Sequence, residues 1–417
     1  MKLLRNYTFT ICLLSGIVLG GLFGVIFGDK TVIVKPIGDI FLNLMFVVIV
    51  PLVFLSVSSA IANMKQMARL GKIIGTIFAV FFTTAVIAGI IAFIGISIYN
   101  PLHNVDLSAI TAHLPKAPTE EGKGLAEILV TTFTVPDFLE LFTKSNLLPL
   151  IIFSILFGLA TSVAGEKGQP VAAFLNSATE VILKMVQFIM YAAPVGLGCY
   201  FAVTVGELGP QIINGYLGIF FLYLVLAVIY FFGMNTLYAF IASGKTGVKV
   251  FWKHVTTPAI TAIATSSSAA CIPVNLVATK KMGVPDDIAE TVIPLGANTH
   301  KDGSVMGGIM KIVFLFTLFG KDMTSASSIL AILAVAFLVG AVMGAIPSGG
   351  MTGELLIISI FGFSPELVAT IMIISTIIDI PATLLNSTGN TVCAMLVSRF
   401  VEGKNWLKKQ VNIGTKI

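Results

Sequence analysis

Long apolar runs separated by short polar connections make up most of this chain. They lie near residues 8–28, 38–62, 73–99, 146–164, 179–203, 212–243 and 327–346. Each run is long enough, or nearly so, to cross a bilayer core of roughly 30 Å as an α-helix. The pattern therefore predicts an all-α polytopic membrane protein.

After residue 245 the apolar runs shorten and are interrupted by small polar residues. The interruptions are TAIATSSSAACIPVN at 261–275 and GAIPSGGMTGE at 344–354. Their apolar flanks of about 12 residues are too short to cross a bilayer, which is typical of re-entrant hairpins. Two such hairpins indicate the binding site of a transporter.

The last apolar segment, STIIDIPATLLNSTGN, carries a regular polar stripe. Asp379, Thr383, Asn386 and Asn390 fall on one helical face at this spacing. Thr and Asn alone would favour a stripe that only packs helices together. Because an ionisable residue is costly at membrane depth, Asp379 favours a functional site.

A second polar cluster, GANTHKDGS at 296–304, interrupts the apolar stretch 287–320. Its two glycines predict a broken helix with free backbone carbonyls. Such carbonyls beside Asp302 would offer oxygen ligands to a monovalent cation. The alternative is a surface loop, but the flanks are too short for two separate spans.

Composition supports the membrane assignment. The chain is 56% hydrophobic and 11% charged, with a mean hydropathy of +0.99. The net charge of +5 comes largely from basic loops and gives no reason to expect a nucleic-acid partner. The four cysteines lack CxxC spacing, so they indicate neither a disulfide framework nor a metal site.

Basic residues flank the terminal spans, including Lys2, Arg5 and Lys404. They predict a retained first span, with cytoplasmic N- and C-termini in a plasma (inner) membrane. The polar stretch 100–145 is predicted to be a connection on the outer side.

The order of SSSAACIP, PLGANTHKDGS, AIPSGG and DIPATLLNSTGN resembles the dicarboxylate/amino-acid:cation symporter family, as do YAAPVGL and NLLPLIIFSILFGLA. This family includes glutamate and neutral amino-acid transporters. The resemblance implies eight transmembrane helices plus two re-entrant hairpins, a homotrimer in membrane lipid, and an elevator motion. In that motion a transport domain slides against a scaffold.

The resemblance also implies a division of the chain. Residues 1–72 would be scaffold helices, 73–99 a transport-domain helix, and 100–211 the outer loop with further scaffold helices. Residues 212–417 would form the rest of the transport domain, with hairpins near 246–282 and 325–364.

Carried over by position, the substrate contacts would come from the last span and from both hairpins. Asp379 would bind the α-ammonium of an amino acid, and Asn386 with the Ser267–Ser268 tip would bind its carboxylate. The physical chemistry agrees, since an ammonium pairs with a carboxylate and a carboxylate with N–H donors. The remaining contacts would be Ser304, Thr383, Pro347, Ser348 and Gly349.

Departures from the family pattern favour a neutral amino acid as substrate. Family members with acidic substrates carry an arginine at the position of Ala382, and commonly another near Ser266. Without either, nothing identifiable here pairs a second carboxylate through a bidentate fork. An acidic amino acid or a dicarboxylate remains the alternative. Glu354 is interpreted as a rim charge facing water, or as a group that admits a polar or basic side chain.

The cation sites implied by the resemblance are altered. Thr84 matches the pattern, whereas Phe81 and Ala85 replace a tyrosine and a hydroxyl side chain. The implied cation-coupling residues are Thr84, Gly296, Asn298, His300, Lys301, Asp302, Asn386 and Asn390. A weak sodium site could remain at Gly296, Asp302, Asn386 and Asn390.

The changes at 301 and 390 add one positive charge and remove one negative charge. Each unit charge about 4 Å from a bound ion is worth roughly 4 kcal/mol at an effective dielectric of about 20. We therefore expect weak sodium coupling, with Lys301 acting as a tethered cation and His300 or Lys301 loading a proton. The alternative is a structural Lys301–Asp302 ion pair.

The sequence thus predicts a secondary active amino-acid transporter, with sodium or protons as coupling ion and no other cofactor. Two other classes stay open. An intramembrane hydrolase built on Ser267 or Ser268 has no G-x-S-x-G motif, and it would leave the polar stripe without a role. A channel-like permease or sodium-independent exchanger is the closer rival, so we do not expect an enzyme.

Overall fold

The computed structural model describes residues 2–62, 68–102, 134–143, 146–208, 211–343 and 349–407, and all regular secondary structure among them is helical. The first helices are α1 (Lys2–Phe27), α2 (Lys35–Ala62), α3 (Ala68–Ile98), α4 (Phe138–Leu141), α5 (Leu147–Val163), α6 (Gln169–Met190) and α7 (Ala193–Leu208). The remaining helices are α8 (Gln211–Ile229), α9 (Asn235–His254), α10 (Thr256–Thr265), α11 (Ser268–Lys281), α12 (Asp286–Thr299), α13 (Asp302–Leu318), α14 (Ala326–Val342), α15 (Gly349–Ile360) and α16 (Leu367–Glu402).

Within the described parts of the chain, five helical stretches are long and apolar enough to cross a membrane: Ile11–Phe41, Lys72–Ile98, Gly165–Ile189, Ile212–His254 and Leu367–Glu402. Shorter apolar helices cover Val50–Ser59, Ile152–Val163 and Ala326–Ala341. Large apolar side chains such as Ile26, Val47 and Phe82 are exposed on the outside of these helices. Such exposure suits hydrocarbon rather than water. The all-helical membrane architecture is confirmed, whereas the count of eight spans and two hairpins stays a prediction.

The first interrupted segment forms a helical hairpin. Its first arm begins at Gly244, where φ of +60° and ψ of −151° break α9 internally. Such backbone angles are essentially restricted to glycine. The arm continues through α10 to a tip at Ser266 and Ser267, where Ser266 is left-handed with φ of 47°. The Ser267 hydroxyl then caps α11 by accepting from the Ala270 N–H at 3.3 Å.

The second interrupted segment pairs α14 with α15, which pack against each other. At Gly353 an added Cβ would lie 2.8 Å from Val339 Cγ1, so the two arms are in close contact. The tip that joins them, residues 344–348, lies outside the described residues. So does 103–133, which is most of the predicted outer connection.

The helices pack in two groups. The long helix α16 contacts α3, α8, α9, α10, α11, α12, α13 and α15, and α14 packs against α3, α13 and α15; we call these helices the central group. In addition, α16 contacts α7. The peripheral group consists of α1, α2, α5, α6 and α7, in which α1 lies along α7 and α2 contacts α5, α6 and α7. The polar residues singled out in the sequence lie almost entirely in the central group.

Candidate functional site

The site is centred on a break between α12 and α13. His300 and Lys301 have extended backbone angles (φ of −124° and −146°), and α13 begins at Asp302. The predicted helix break is therefore confirmed. The expectation of a free carbonyl at Gly296 is wrong, because that oxygen accepts the His300 backbone N–H at 2.9 Å. This bond caps the end of α12.

The imidazole of His300 is the hub of a buried polar network and is only 2% exposed. Its Nε2 lies 2.7 Å from Thr84 Oγ1 on α3. Its Nδ1 lies 2.9 Å from Asn390 Oδ1 on α16. The ring of Phe81 stacks on the imidazole with centroids 4.2 Å apart. Helices α3 and α16 thus converge on one side chain, which joins the helix break to its neighbours.

Asp302 completes the network from the first turn of α13. Its Oδ2 accepts the Tyr230 hydroxyl at 2.7 Å, and Tyr230 lies 3.3 Å from the Tyr238 hydroxyl. Tyr230 begins the π-helical turn Tyr230–Met234, between α8 and α9. Asp302 Oδ1 lies 3.0 Å from His300 Nε2 but has no hydrogen-bond donor among the described residues. We read this contact as electrostatic.

Asn386 binds the start of α13. Its Oδ1 accepts the backbone N–H groups of Gly303 at 2.9 Å and Ser304 at 3.3 Å. Its Nδ2 donates to Ser304 Oγ at 3.1 Å. The Tyr223 hydroxyl donates to the Gly303 carbonyl at 2.8 Å. These bonds satisfy N–H groups that a helix start otherwise leaves unpaired.

This arrangement does not fit a sodium ion at the predicted weak site. Hard cations take oxygen ligands, whereas imidazole suits transition metals. The Gly296 carbonyl, Asn386 Oδ1 and Asn390 Oδ1 already face N–H groups. The oxygens of Thr84 and Asp302 face the imidazole.

Asp379 has a different environment, one turn before Thr383 on α16. Its side chain is solvent-accessible even though helices surround it. Lys301 and Asp379 lie close enough for their charges to affect each other. The Asp302 carboxylate faces His300 and Tyr230, and the Lys301–Asp302 ion pair stays an untested alternative. Thr383 is buried beside them at 5% exposure.

The other predicted site residues are placed as follows. Ser267 lies at the tip of the first hairpin and Ser268 begins its second arm, which is attached to α16 by Asn275 Nδ2, 2.9 Å from Ser387 Oγ. Asn298 is not brought into the network: its exposed amide donates to the Pro294 carbonyl at 3.0 Å. Gly349 begins α15, whereas Pro347 and Ser348 lie outside the described residues.

Sequence reasoning missed a second charged cluster. Lys311 Nζ on α13 donates to Glu354 Oε1 at 2.7 Å and to Ser375 Oγ at 2.9 Å, and Ser375 also donates to Glu354. The side chains of Lys311 and Glu354 are 2% and 0% exposed. The interpretation of Glu354 as a rim charge is therefore wrong, because it has a buried partner. The available signal was a lone lysine in the apolar run GGIMKIVFLF.

A multi-pass helical fold in which a broken helix packs against the polar face of a long helix is typical of a membrane transporter. The sequence of residues 9–400 matches the Sodium:dicarboxylate symporter family. The chain belongs to this family of symporters, which are not enzymes.

Named relatives span almost the whole chain. It is 30% identical to the "Proton/sodium-glutamate symport protein" of Bacillus subtilis (strain 168) over 400 residues, covering 92% of this chain and 91% of the relative. It is 26% identical to the "C4-dicarboxylate transport protein" of the same organism over 405 residues, 96% and 94% of the two chains. A "C4-dicarboxylate transport protein" of Rhizobium johnstonii is 27% identical over 412 residues, 93% and 87% of the two chains.

Proposed function

We propose that this protein is a secondary active transporter that takes up an amino acid with a neutral side chain, coupled to the movement of a cation. The observation that carries the proposal is the accessible Asp379 carboxylate, one and two turns from Thr383 and Asn386 on α16. An ammonium group pairs with such a carboxylate, and the amide of Asn386 can donate to a substrate carboxylate. The substrate class thus follows from the groups on one helix face.

The charge balance of the site supports a neutral substrate. Lys301 and Asp379 are side chains of opposite sign that are close enough to affect each other. A zwitterion adds no net charge to them, whereas an acidic amino acid adds an uncompensated negative charge. Lys311 is already paired with Glu354, and Ala382 has no charge to offer. Neither position therefore offers a free positive charge to a second carboxylate.

A second candidate is transport of a dicarboxylate. Lys301 places an ammonium of the protein itself beside Asp379, where the ammonium of an amino acid would otherwise lie. Such a site could suit a substrate that has no amino group. Two of the relatives named above are C4-dicarboxylate transport proteins.

We further propose the architecture and motion that the family implies. The chain would have eight spans, two re-entrant hairpins and cytoplasmic termini, and would form a homotrimer in the inner membrane. The central group would be the transport domain and the peripheral group the scaffold. Most helix contacts lie within one group, and fewer join the two, such as those of α16 with α7 and of α10 with α1; this pattern supports the division.

The test is uptake of labelled solutes into proteoliposomes that contain the purified protein. The panel contains serine, alanine, threonine, cystine, glutamate, aspartate and succinate, with sodium and proton gradients imposed separately. We expect concentrative uptake of a neutral amino acid. Preferred uptake of succinate would establish the second candidate, and downhill flux without accumulation would indicate a channel.

Asp379→Asn tests the substrate anchor. Removing the charge should abolish binding of the transported amino acid while the protein stays folded, because an amide cannot pair with an ammonium. The matched control is Asp286→Asn, at an exposed aspartate that pairs with Lys280 at 3.2 Å. Unchanged substrate affinity in Asp379→Asn would refute the assignment.

A further inference from the structure

The polar cluster around His300 resembles a cation site in which the imidazole ring occupies the position of the ion. Oxygens converge from α3, α13 and α16, but the atoms they face are the two ring nitrogens. Thr84 Oγ1 and Asp302 Oδ1 lie 2.7 and 3.0 Å from Nε2, and Asn390 Oδ1 lies 2.9 Å from Nδ1. An ion bound to the same oxygens would occupy the space of the ring.

The walls of the cluster hold the ring in place. Phe81 covers one face of the imidazole, with ring planes 22° apart. A Cβ added at Gly389 would lie 3.8 Å from the imidazole Cε1, so α16 also packs close to the ring. A Cβ at Gly296 would lie 2.3 Å from Asn390 Oδ1, so only glycine there lets Asn390 reach His300. Packing of this density leaves the ring little room to swing away.

The chemistry of the ring suits this position. An amide oxygen only accepts hydrogen bonds, so Nδ1 carries the hydrogen that faces Asn390. The Nδ1–H group therefore donates a hydrogen bond to Asn390 Oδ1, an oxygen that could otherwise bind a cation. The imidazole therefore provides a hydrogen-bond donor to Asn390 Oδ1 without an ion, and its Nε2 fills the space between Thr84 Oγ1 and Asp302 Oδ1.

We infer that the side chain of His300 replaces a bound sodium ion between Thr84, Asp302 and Asn390, so that this site does not bind sodium. Position 300 thereby decides whether the site takes an ion. The inference rests on the proposed function only for the expectation that a cation is coupled to transport. It concerns sodium binding and can be tested without any substrate.

The experiment measures radioactive sodium bound per chain by the purified full-length protein. Thermal unfolding in sodium chloride and in choline chloride at equal ionic strength serves as a second readout. The variants are His300→Asn, His300→Ala and Thr84→Val, and His254→Asn is the matched histidine control at the end of α9. We expect His300→Asn to bind one more sodium ion per chain than the unmodified protein, with a saturable, sodium-specific rise in unfolding temperature. Neither Thr84→Val nor His254→Asn should alter sodium binding.

Two results would overturn the inference. The first is sodium binding by the unmodified protein that Thr84→Val weakens, because the ion would then share the site with the imidazole. The second is the absence of additional sodium in both His300→Asn and His300→Ala when both are folded. Either result leaves the amino-acid proposal standing, since the uptake panel tests that separately.

Discussion

Lys311 and Glu354 show how much a buried charge depends on its partner. Their side chains are nearly inaccessible, and the pair is completed by Ser375 on α16. Removing two charges from water costs several kcal/mol each, so the pair itself adds little to stability. Removing one partner is different, because the remaining charge stays buried alone.

Single substitutions of this pair should therefore destabilise the protein. We expect Lys311→Met or Glu354→Leu to lower the free energy of unfolding by about 3–5 kcal/mol. The double variant should recover most of that loss, because an apolar pair of similar volume replaces the ion pair. Denaturant-induced unfolding in detergent measures all three.

The control for this pair is on the surface. Lys280 pairs with Glu290 at 2.6 Å, but its side chain is 34% exposed. Lys280→Met should cost no more than about 1 kcal/mol, because solvent screens such pairs. Single variants at 311 and 354 as stable as the unmodified protein would show that no charged pair is held there.

At the scale of residues, the sequence identified the groups that are costly in a membrane but not all of their partners. Asp379, Asn386 and the 300–302 cluster were found because polar residues stand out in apolar sequence. The partnership of Lys311 with Glu354 was not found, because 43 positions separate the two residues. The contact of Tyr230 with Asp302 was not predicted either, because Tyr230 lies in an aromatic run far from Asp302 in the sequence.

At the scale of elements, the close approach of α1 and α7 depends on small residues. Gly16, Gly20 and Gly24 lie one turn apart on α1 and face α7. A Cβ at Gly20 would lie 2.1 Å from the Gly198 carbonyl oxygen. Small residues at this spacing let membrane helices approach closely enough for strong van der Waals contact.

Gly20→Val should therefore separate these helices. Since the obstacle is backbone rather than a flexible side chain, we expect a loss of about 1–3 kcal/mol of stability. The control is Gly75→Val on α3, where nothing lies within 4 Å of an added Cβ. Thermal unfolding in detergent compares them, and equal midpoints would argue against tight α1–α7 packing.

The positions of the helices and of their interruptions were the features of this fold that the sequence predicted best. The helix break at 300–301 and both interrupted segments follow from where polar and small residues fall in apolar runs. The hydrogen bonding of the backbone at the break could not be predicted, because the Gly296 carbonyl accepts the N–H group of the residue four positions later. Hydrogen bonds of that kind depend on local geometry that composition does not specify.

At the scale of the whole molecule, the other helices of the central group surround α16. α16 packs against helices that come from both hairpins, from the broken α12–α13 pair and from α3. These contacts join distant parts of the chain, so periodicity could not reveal them. The division into scaffold and transport domain was expected only through resemblance to a family. The proposed elevator motion requires the two groups to move relative to each other.

A cross-link between the two groups should stop transport without stopping binding. The Tyr200 hydroxyl on α7 donates to the Glu366 carbonyl at 2.6 Å, where the peripheral group meets the start of α16. In a chain whose four free cysteines are replaced by serine, Tyr200→Cys with Glu366→Cys and a short, reducible thiol cross-linker should reduce uptake to background. Reduction should restore uptake, and substrate binding should persist throughout.

Lys280→Cys with Glu290→Cys is the control, because that cross-link lies inside the central group and should leave uptake intact. Uptake that continues in fully cross-linked Tyr200→Cys/Glu366→Cys protein would mean that the substrate crosses without relative movement of the two groups.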